Sequence, residues 1–306
     1  MFSFVSQCSI QFNNIAIVVG NSSKFIEQIS QIYSNVCYFG GLITYQIRTI
    51  VNIKQVISRS YQSYNTQIVN STGILLGYVQ DITNNISIEN ACILLALKSI
   101  GKMQVVGIIG FVDGNLSIQQ IQLQMDIQTI YNYLGMIGYQ STISLYSEVI
   151  NAVIIFNTLI FSQSFTDVGP LYGSNYAQDK QMCNILVDNS SIGSDRSNGG
   201  LIGAVGYRNI SLQNVTIQLT NVTSFGNGAG GIFGYSHQCA ITIKNSTINS
   251  IHITGQSRCG IILGVNSGVI TLNIQNSKSI GSSYINSILQ TNCGSFSNTV
   301  GSVTQC

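Results

Sequence analysis

The chain has 306 residues, only 7% of them charged, and a formal net charge of +2, where ordinary soluble domains carry about 25% charged residues. A surface this neutral offers no basic patch to release counterions from phosphates, which removes the main electrostatic drive for nucleic-acid binding and for recruitment to anionic membrane. Hydrophobic content is 45%, with thirty glycines, one proline (Pro170) and no tryptophan. Abundant β-branched residues, scarce Ala, Lys and Glu, and so little proline point to β structure.

In chain order, the N-terminal segment MFSFVSQCSIQFNN lacks the basic n-region and clean apolar h-region of a signal peptide. Two expectations compete: a cytosolic chain, or a fragment of a longer exported one. The run SIQFNN, Ser9 to Asn14, alternates apolar and polar residues, so the chain starts inside a repeat. A glycine box then recurs: GGLIT (Gly40 to Thr44), GILLG ending at Gly77, GIIG at Gly110, GMIG at Gly138, GPLYG at Gly173, GGLIG at Gly203, GGIFG at Gly234 and GIILG at Gly264. With Thr44 standing for the last glycine of its box, the steps are 33, 33, 28, 35, 30, 31 and 30 residues. Such regularity marks a repeat architecture.

About ten to sixteen residues after each box comes an alternating strand, often closed by Asn. Examples are NISIEN (Asn85 to Asn90), LSIQQI (Leu116 to Ile121), NILVDN (Asn184 to Asn189), NISLQN (Asn209 to Asn214), AITIKN (Ala240 to Asn245) and ITLNIQN (Ile270 to Asn276). A third short segment such as TIQLTNV, Thr216 to Val222, completes the unit. The longest apolar run, Val149 to Phe161, is interrupted by two asparagines and falls short of the roughly 20 residues that span a bilayer; no membrane span is expected.

The expected fold is therefore all-β: a right-handed parallel β-helix (β-solenoid) of about nine coils with about 31 residues each, a rod of roughly 43 Å at about 4.8 Å per coil. A β-propeller is the best structural rival, but its blades are longer and carry aromatic signatures. One solenoid domain is expected over 1–306, continuing into more sequence or associating end to end through its open strand edges. An irregular, loop-rich segment is expected at about 161–198, where charge and Pro170 gather. The asparagines at 189, 214, 245 and 276 are expected to stack as a structural amide ladder.

The boxes GGLIG, GGIFG and GIILG, each followed by an alternating strand, resemble the GLUG-type repeats of surface proteins and, more loosely, pectate-lyase-like parallel β-helices. The resemblance covers about residues 37 to 290. It implies an extracellular or cell-surface, often adhesive, solenoid whose partners are carbohydrates or other surface proteins, and it carries over no catalytic residue.

Candidate chemistry is sparse. The reading is non-enzymatic, with no catalytic residues, no cofactor and no metal. The alternative of a polysaccharide lyase or hydrolase rests on Asp167, Asp179, Asp188 and Asp195, because carbohydrate-active β-helices cluster carboxylates. A further alternative is an intracellular repeat scaffold. Asp81 and Asp113 follow successive boxes and are the one candidate Ca²⁺ pair, though Asp also opens turns well. His237 and His252 have no partners at ligand spacing. The glycine boxes lack the ending of a phosphate loop and precede strands. Eight cysteines (8, 37, 92, 183, 239, 259, 293 and 306) contain no CxxC; they suit either disulfides or small core positions. Nine N-x-[ST] sequons, at Asn21, Asn70, Asn85, Asn115, Asn189, Asn209, Asn214, Asn221 and Asn245, fit an extracellular glycoprotein, although the repeat itself generates several of them.

Overall fold

The computed structural model describes residues 2–19, 38–40, 42–64, 68–81, 83–99, 102–128, 133–158, 167–194, 196–226, 228–255, 258–267, 271–285 and 288–289. Among them there is no helix, and strands follow one another throughout. All but the last described strand pair in parallel with their equivalents in neighbouring coils. The one antiparallel pairing among the described residues joins Tyr284 and Ile285 to Leu289 and Ile288. This is a parallel β-solenoid.

One coil illustrates the design. Tyr133–Leu134 enters the glycine box, Ile137–Gln140 leaves it, and Tyr146–Thr158 forms the long side before Asp167–Val168 opens the next coil. The long strand lies in register between Asn115–Gln128 and Asp179–Asp188. It bends at Asn151, which adopts the left-handed conformation with φ 57°. That residue shifts the side-chain alternation by one step. Val149 and Ala152 are therefore both buried, followed by Ile154 and Phe156, whereas a straight strand would point positions 149 and 152 to opposite faces.

The bend repeats in register at Asn14, Gln55, Asn90, Gln120, Asn151, Asn184, Asn214, Asn245 and Asn276, all with φ between 48° and 57°. Asn tolerates this conformation better than other residues with a Cβ, which explains an amide where the alternation ends. From Asn90 to Asn276 the corner returns six times, at intervals of 30 to 33 residues. The solenoid thus has about six regular turns some 31 residues apart. The expected nine coils overstate it, because the steps from Asn14 to Gln55 and on to Asn90 are 41 and 35 residues.

The glycine boxes also stack. Ile43, Leu76, Ile109, Ile137, Tyr172, Ile202, Phe233 and Leu263 share one register, so Thr44 stands where the other boxes end in glycine. At Gly173 the glycine is required by proximity. A Cβ on Gly173 would lie 2.5 Å from the Gly138 carbonyl oxygen and 2.5 Å from the Leu134 nitrogen. The strands entering and leaving a box touch backbone to backbone, and nothing larger than hydrogen fits between them. Ile, Leu and Val fill the rest of the interior as one continuous cluster.

The segment expected to be irregular is regular over most of its described part. Asp167–Val168, Tyr172–Asn175, Asp179–Asp188, Ser191–Ser194 and Ser197–Gly199 all pair in register with their neighbours. Pro170 sits in the corner of its box, where its carbonyl accepts a hydrogen bond from the Met136 nitrogen at 2.9 Å. Two of the charges that suggested a solvated loop, Asp167 and Lys180, are buried instead.

A pair of substitutions separates close approach from the general cost of altering a glycine. Gly173→Val should destabilise the fold by about 3 kcal/mol through overpacking. Gly193→Ala, whose new Cβ would have its nearest neighbour at 3.9 Å, should stay within about 0.5 kcal/mol of the parent. Denaturant unfolding of the two variants measures the difference.

Candidate functional site: an aromatic rail and its break

The residue after each early box is aromatic, and the parallel register stacks these residues. Phe4, Tyr45, Tyr78, Phe111 and Tyr139 follow one another with ring centroids 5.6, 5.3, 4.7 and 5.0 Å apart and interplanar angles of 18° or less. Rings stacked so nearly parallel cover each other's faces and leave their edges to solvent. Along this stretch the rail is a structural ladder, stabilised by offset stacking.

Beyond Tyr139 the rail changes. The next two positions of the column are Ser174 and Ala204, too small to stack. Tyr176 and Tyr207, two and three residues further along, take the vacated places. The ring planes now turn by 51° from Tyr139 to Tyr176, 51° from Tyr176 to Tyr207 and 77° from Tyr207 to His237. Tyr133, from the strand entering its box, leans on Tyr139 at 59°. Tilted rings expose part of their faces. Tyr207 is 43% exposed, while Tyr133, Tyr139, Tyr176 and His237 are half-buried.

Asp167 lies in register with Tyr133, one coil further on, and is only 4% exposed. Its Oδ2 accepts a hydrogen bond from Ser174 Oγ at 3.1 Å, and its Oδ1 has no hydrogen-bonding partner. Burial pushes the carboxyl up to about 6, against the opposing pull of Arg196, Ser174 and Ser197. Burial also raises the Tyr139 phenol to about 12, with Tyr133 and Asp113 adding to it, and shifts Tyr133 and Tyr176 in the same direction. The break is thus a low-dielectric aromatic patch over a single carboxyl. Lys180 braces it from below: the buried ammonium donates to the carbonyl oxygens of Ala177, Gly206 and Tyr207, the last two at 3.0 Å. Those bonds pin the chain where Tyr207 and Arg208 both adopt positive φ. Burial lowers the Lys180 pKa to about 8.

The other candidate carboxylates are not gathered here. Asp179 and Asp188 stand at opposite ends of one strand, with the Asn184 corner between them. Asp179 is exposed and accepts from Asn209 Nδ2 at 3.2 Å. Asp195 lies outside the described residues. Asp81 and Asp113 do approach closely enough for the Asp81 charge to add to the burial that raises the Asp113 carboxyl. Asp81, however, is already committed: Oδ2 accepts from Arg48 Nε at 2.9 Å and Oδ1 accepts from Thr83 N and Oγ1, each at 3.0 Å. Those bonds hold its carboxyl below the usual range, the Thr83 amide most of all. Among the described residues no group of three or more His, Cys, Asp or Glu side chains could hold a metal ion.

A hydrogen-bonded amide ladder is seen at Asn151, Asn184 and Asn214, only the last of which was among the expected members. Asn214, Asn245 and Asn276 belong to the corner column, but the position below them is Asn184, not Asn189. Asn184 Nδ2 donates to Asn151 Oδ1 and Asn214 Nδ2 to Asn184 Oδ1, both at 2.9 Å. Asn189 sits at the following corner, in register with Leu219, and both have positive φ. Among the described cysteines, 8, 92, 183 and 239 are free thiols and Cys259 is buried; 37, 293 and 306 lie outside the described residues. His237 Nδ1 is 2.8 Å from Ser267 Oγ, and His252 stacks in register on Asn221. No described helix is long and apolar enough to cross a membrane.

The aromatic rail was not anticipated, although Gly77-Tyr78, Gly110-Phe111 and Gly138-Tyr139 carry its signal directly after the boxes. No protein-family description, curated protein or solved structure matches the chain.

The Asp167 environment predicts an acid-stabilised fold. With a native pKa of about 6 above the unfolded value of about 3.9, the native state holds the extra proton between them. This contribution is therefore fully present below about pH 4 and is lost as the pH rises through about 6, an effect of about 3 kcal/mol. Thermal unfolding from pH 7.5 down to 4 should show rising stability, and Asp167→Asn should flatten that slope.

Proposed function

We propose that this chain is a non-enzymatic recognition solenoid of the secreted or cell-surface kind, adhesin-like in use, which holds a neutral carbohydrate chain on the break of its aromatic rail. The observation that carries this reading is the turn of the rings after Tyr139. Tilted aromatic faces offer an apolar platform to the C–H face of a sugar ring, which the closely stacked part of the rail does not. The low charge of the whole chain agrees with a neutral, hydroxyl-rich ligand rather than an acidic one. Export and kinship with GLUG-type repeats belong to the same reading, motivated by the box pattern. A right-handed winding is inferred from the strong preference of parallel connections for that hand.

The hydrolase or lyase alternative is less well supported. Glycoside hydrolysis calls for two carboxyls about 5–9.5 Å apart, and Asp179 and Asp188 are separated by nine residues and a corner. Asp167 is buried on a different strand, in register with Tyr133, where it accepts from Ser174.

A polysaccharide panel tests the proposal, using cellulose, xylan, chitin and mannan in pull-down and released-reducing-end assays. The parent protein should bind at least one polymer without cleaving it. The double variant Tyr176→Ala, Tyr207→Ala should bind it about tenfold more weakly, the loss of about 1.4 kcal/mol. Absence of binding to every polymer would sink the idea. Cleavage that disappears in Asp167→Asn would replace it with the enzyme reading.

A further inference from the structure

The left-handed corner column does more than bend the chain. From Asn14 to Asn151 it forms one wall of an open groove of about 770 Å³ that runs across five coils. The opposite wall is the exposed position two residues on, occupied by Ala16, Ile57, Cys92, Gln122 and Val153. Ile57 is 59% and Val153 42% exposed. No charged side chain lines the groove. The groove is distinct from the aromatic rail, since Tyr139 and Asn151 lie twelve residues and one buried strand segment apart in the same coil.

We propose that this groove is a second carbohydrate site, built for a linear β-linked neutral glycan lying along the solenoid axis with about one sugar per coil. The argument rests on the chemistry of the two walls. A primary carboxamide has two donors and two acceptor lone pairs. At the Asn151 end of the groove, the ladder bond donated by Asn184, which lies beyond the lining, occupies one acceptor lone pair of Asn151 Oδ1 and leaves the rest of that carboxamide with capacity for ligand hydroxyls. The opposite wall supplies apolar surface at Ala16, Ile57 and Val153, with the Cys92 thiol and the Gln122 amide between them. An extended β-linked hexose ribbon has the same cross-section, with hydroxyls at its edges and C–H bonds on its faces. The pitch agrees as well: the amides recur once per coil, about every 4.8 Å, close to the advance per residue of such a chain.

An extended peptide is a poorer occupant. The groove crosses the strands, whose backbone groups pair with the coils on either side, so no open edge is available for strand addition. The ligand class follows the proposed function, but the site and the expected dependence on chain length do not depend on the rail.

Calorimetric titration with cellopentaose, cellobiose and maltopentaose tests the groove. Cellopentaose should bind, cellobiose about tenfold more weakly or worse, and the coiled α-linked maltopentaose no better than cellobiose. Ile57→Lys with Val153→Lys, at two exposed positions that leave the core intact, should weaken cellopentaose about tenfold. Tyr176→Ala with Tyr207→Ala should leave the groove's share of binding unchanged. Equal affinity for pentamer and dimer, or parent-like binding by the Lys double variant, would overturn the groove proposal even if the rail binds sugar. A concentration-dependent dimer abolished by the same Lys pair would also overturn it, by assigning the groove to a second copy of the chain. Loss of all binding in the rail variant would remove the groove and leave the rail reading intact.

Discussion

Parallel, in-register stacking is the constraint from which the rest of this molecule follows. Each coil lies about 4.8 Å above the last, so every side chain meets the side chain at the same position one turn away. Identical charges in that position repel, whereas amides, hydroxyls and aromatic rings attract their own kind. A solenoid of this type selects columns of self-compatible residues, and this accounts for a chain that is 7% charged and rich in Asn, Ser and Gln. Some of the charges that remain are matched across coils. Lys54 pairs with Glu89 in direct register at 2.9 Å, and Arg48 reaches Asp81 at 2.9 Å.

The same constraint explains how glycine, asparagine and serine share the turns. Glycine is needed where two backbones meet, as at Gly173 against Leu134. Asparagine takes the bends where a side chain fits but the backbone must be left-handed. Serine follows at the buried position after the bend. Ser246 Oγ accepts from the Val215 nitrogen in the coil before and donates to the Lys244 carbonyl, and Ser277 repeats the arrangement against Ser246 and Gln275. A polar group inside the solenoid is tolerated because it closes hydrogen bonds that the corner opens.

This logic decides what was legible in the sequence. The box period and the equivalence of Thr44 with the later glycines could be read, because the box holds one register from coil to coil. The ladder was misplaced at Asn189 because the segment from 184 to 189 has Asn at both ends, and both residues occupy left-handed corners. Only the pairing of Cys183 with Gln213 and Ile185 with Val215 identifies Asn184 as the member. Lys180 and Asp167 look like loop charges in a string of letters, yet one is spent on three carbonyls and the other is buried and bonded to Ser174. The rail escaped notice because its period slips at Ser174 and Ala204, where the aromatic residue moves further along the coil. That slip is also what turns the ring planes away from one another and ends the close stacking.

The corner steps of 41, 35 and 33 residues, beside others of 30 and 31, have a consequence of their own. The columns stay aligned across steps of every length. Distance along the rod is therefore counted in coils and not in residues, as on a ruler whose graduations are indifferent to what hangs between them. Insertions between strands can diversify the edges of this protein without moving a ring of the rail or an amide of the groove out of line.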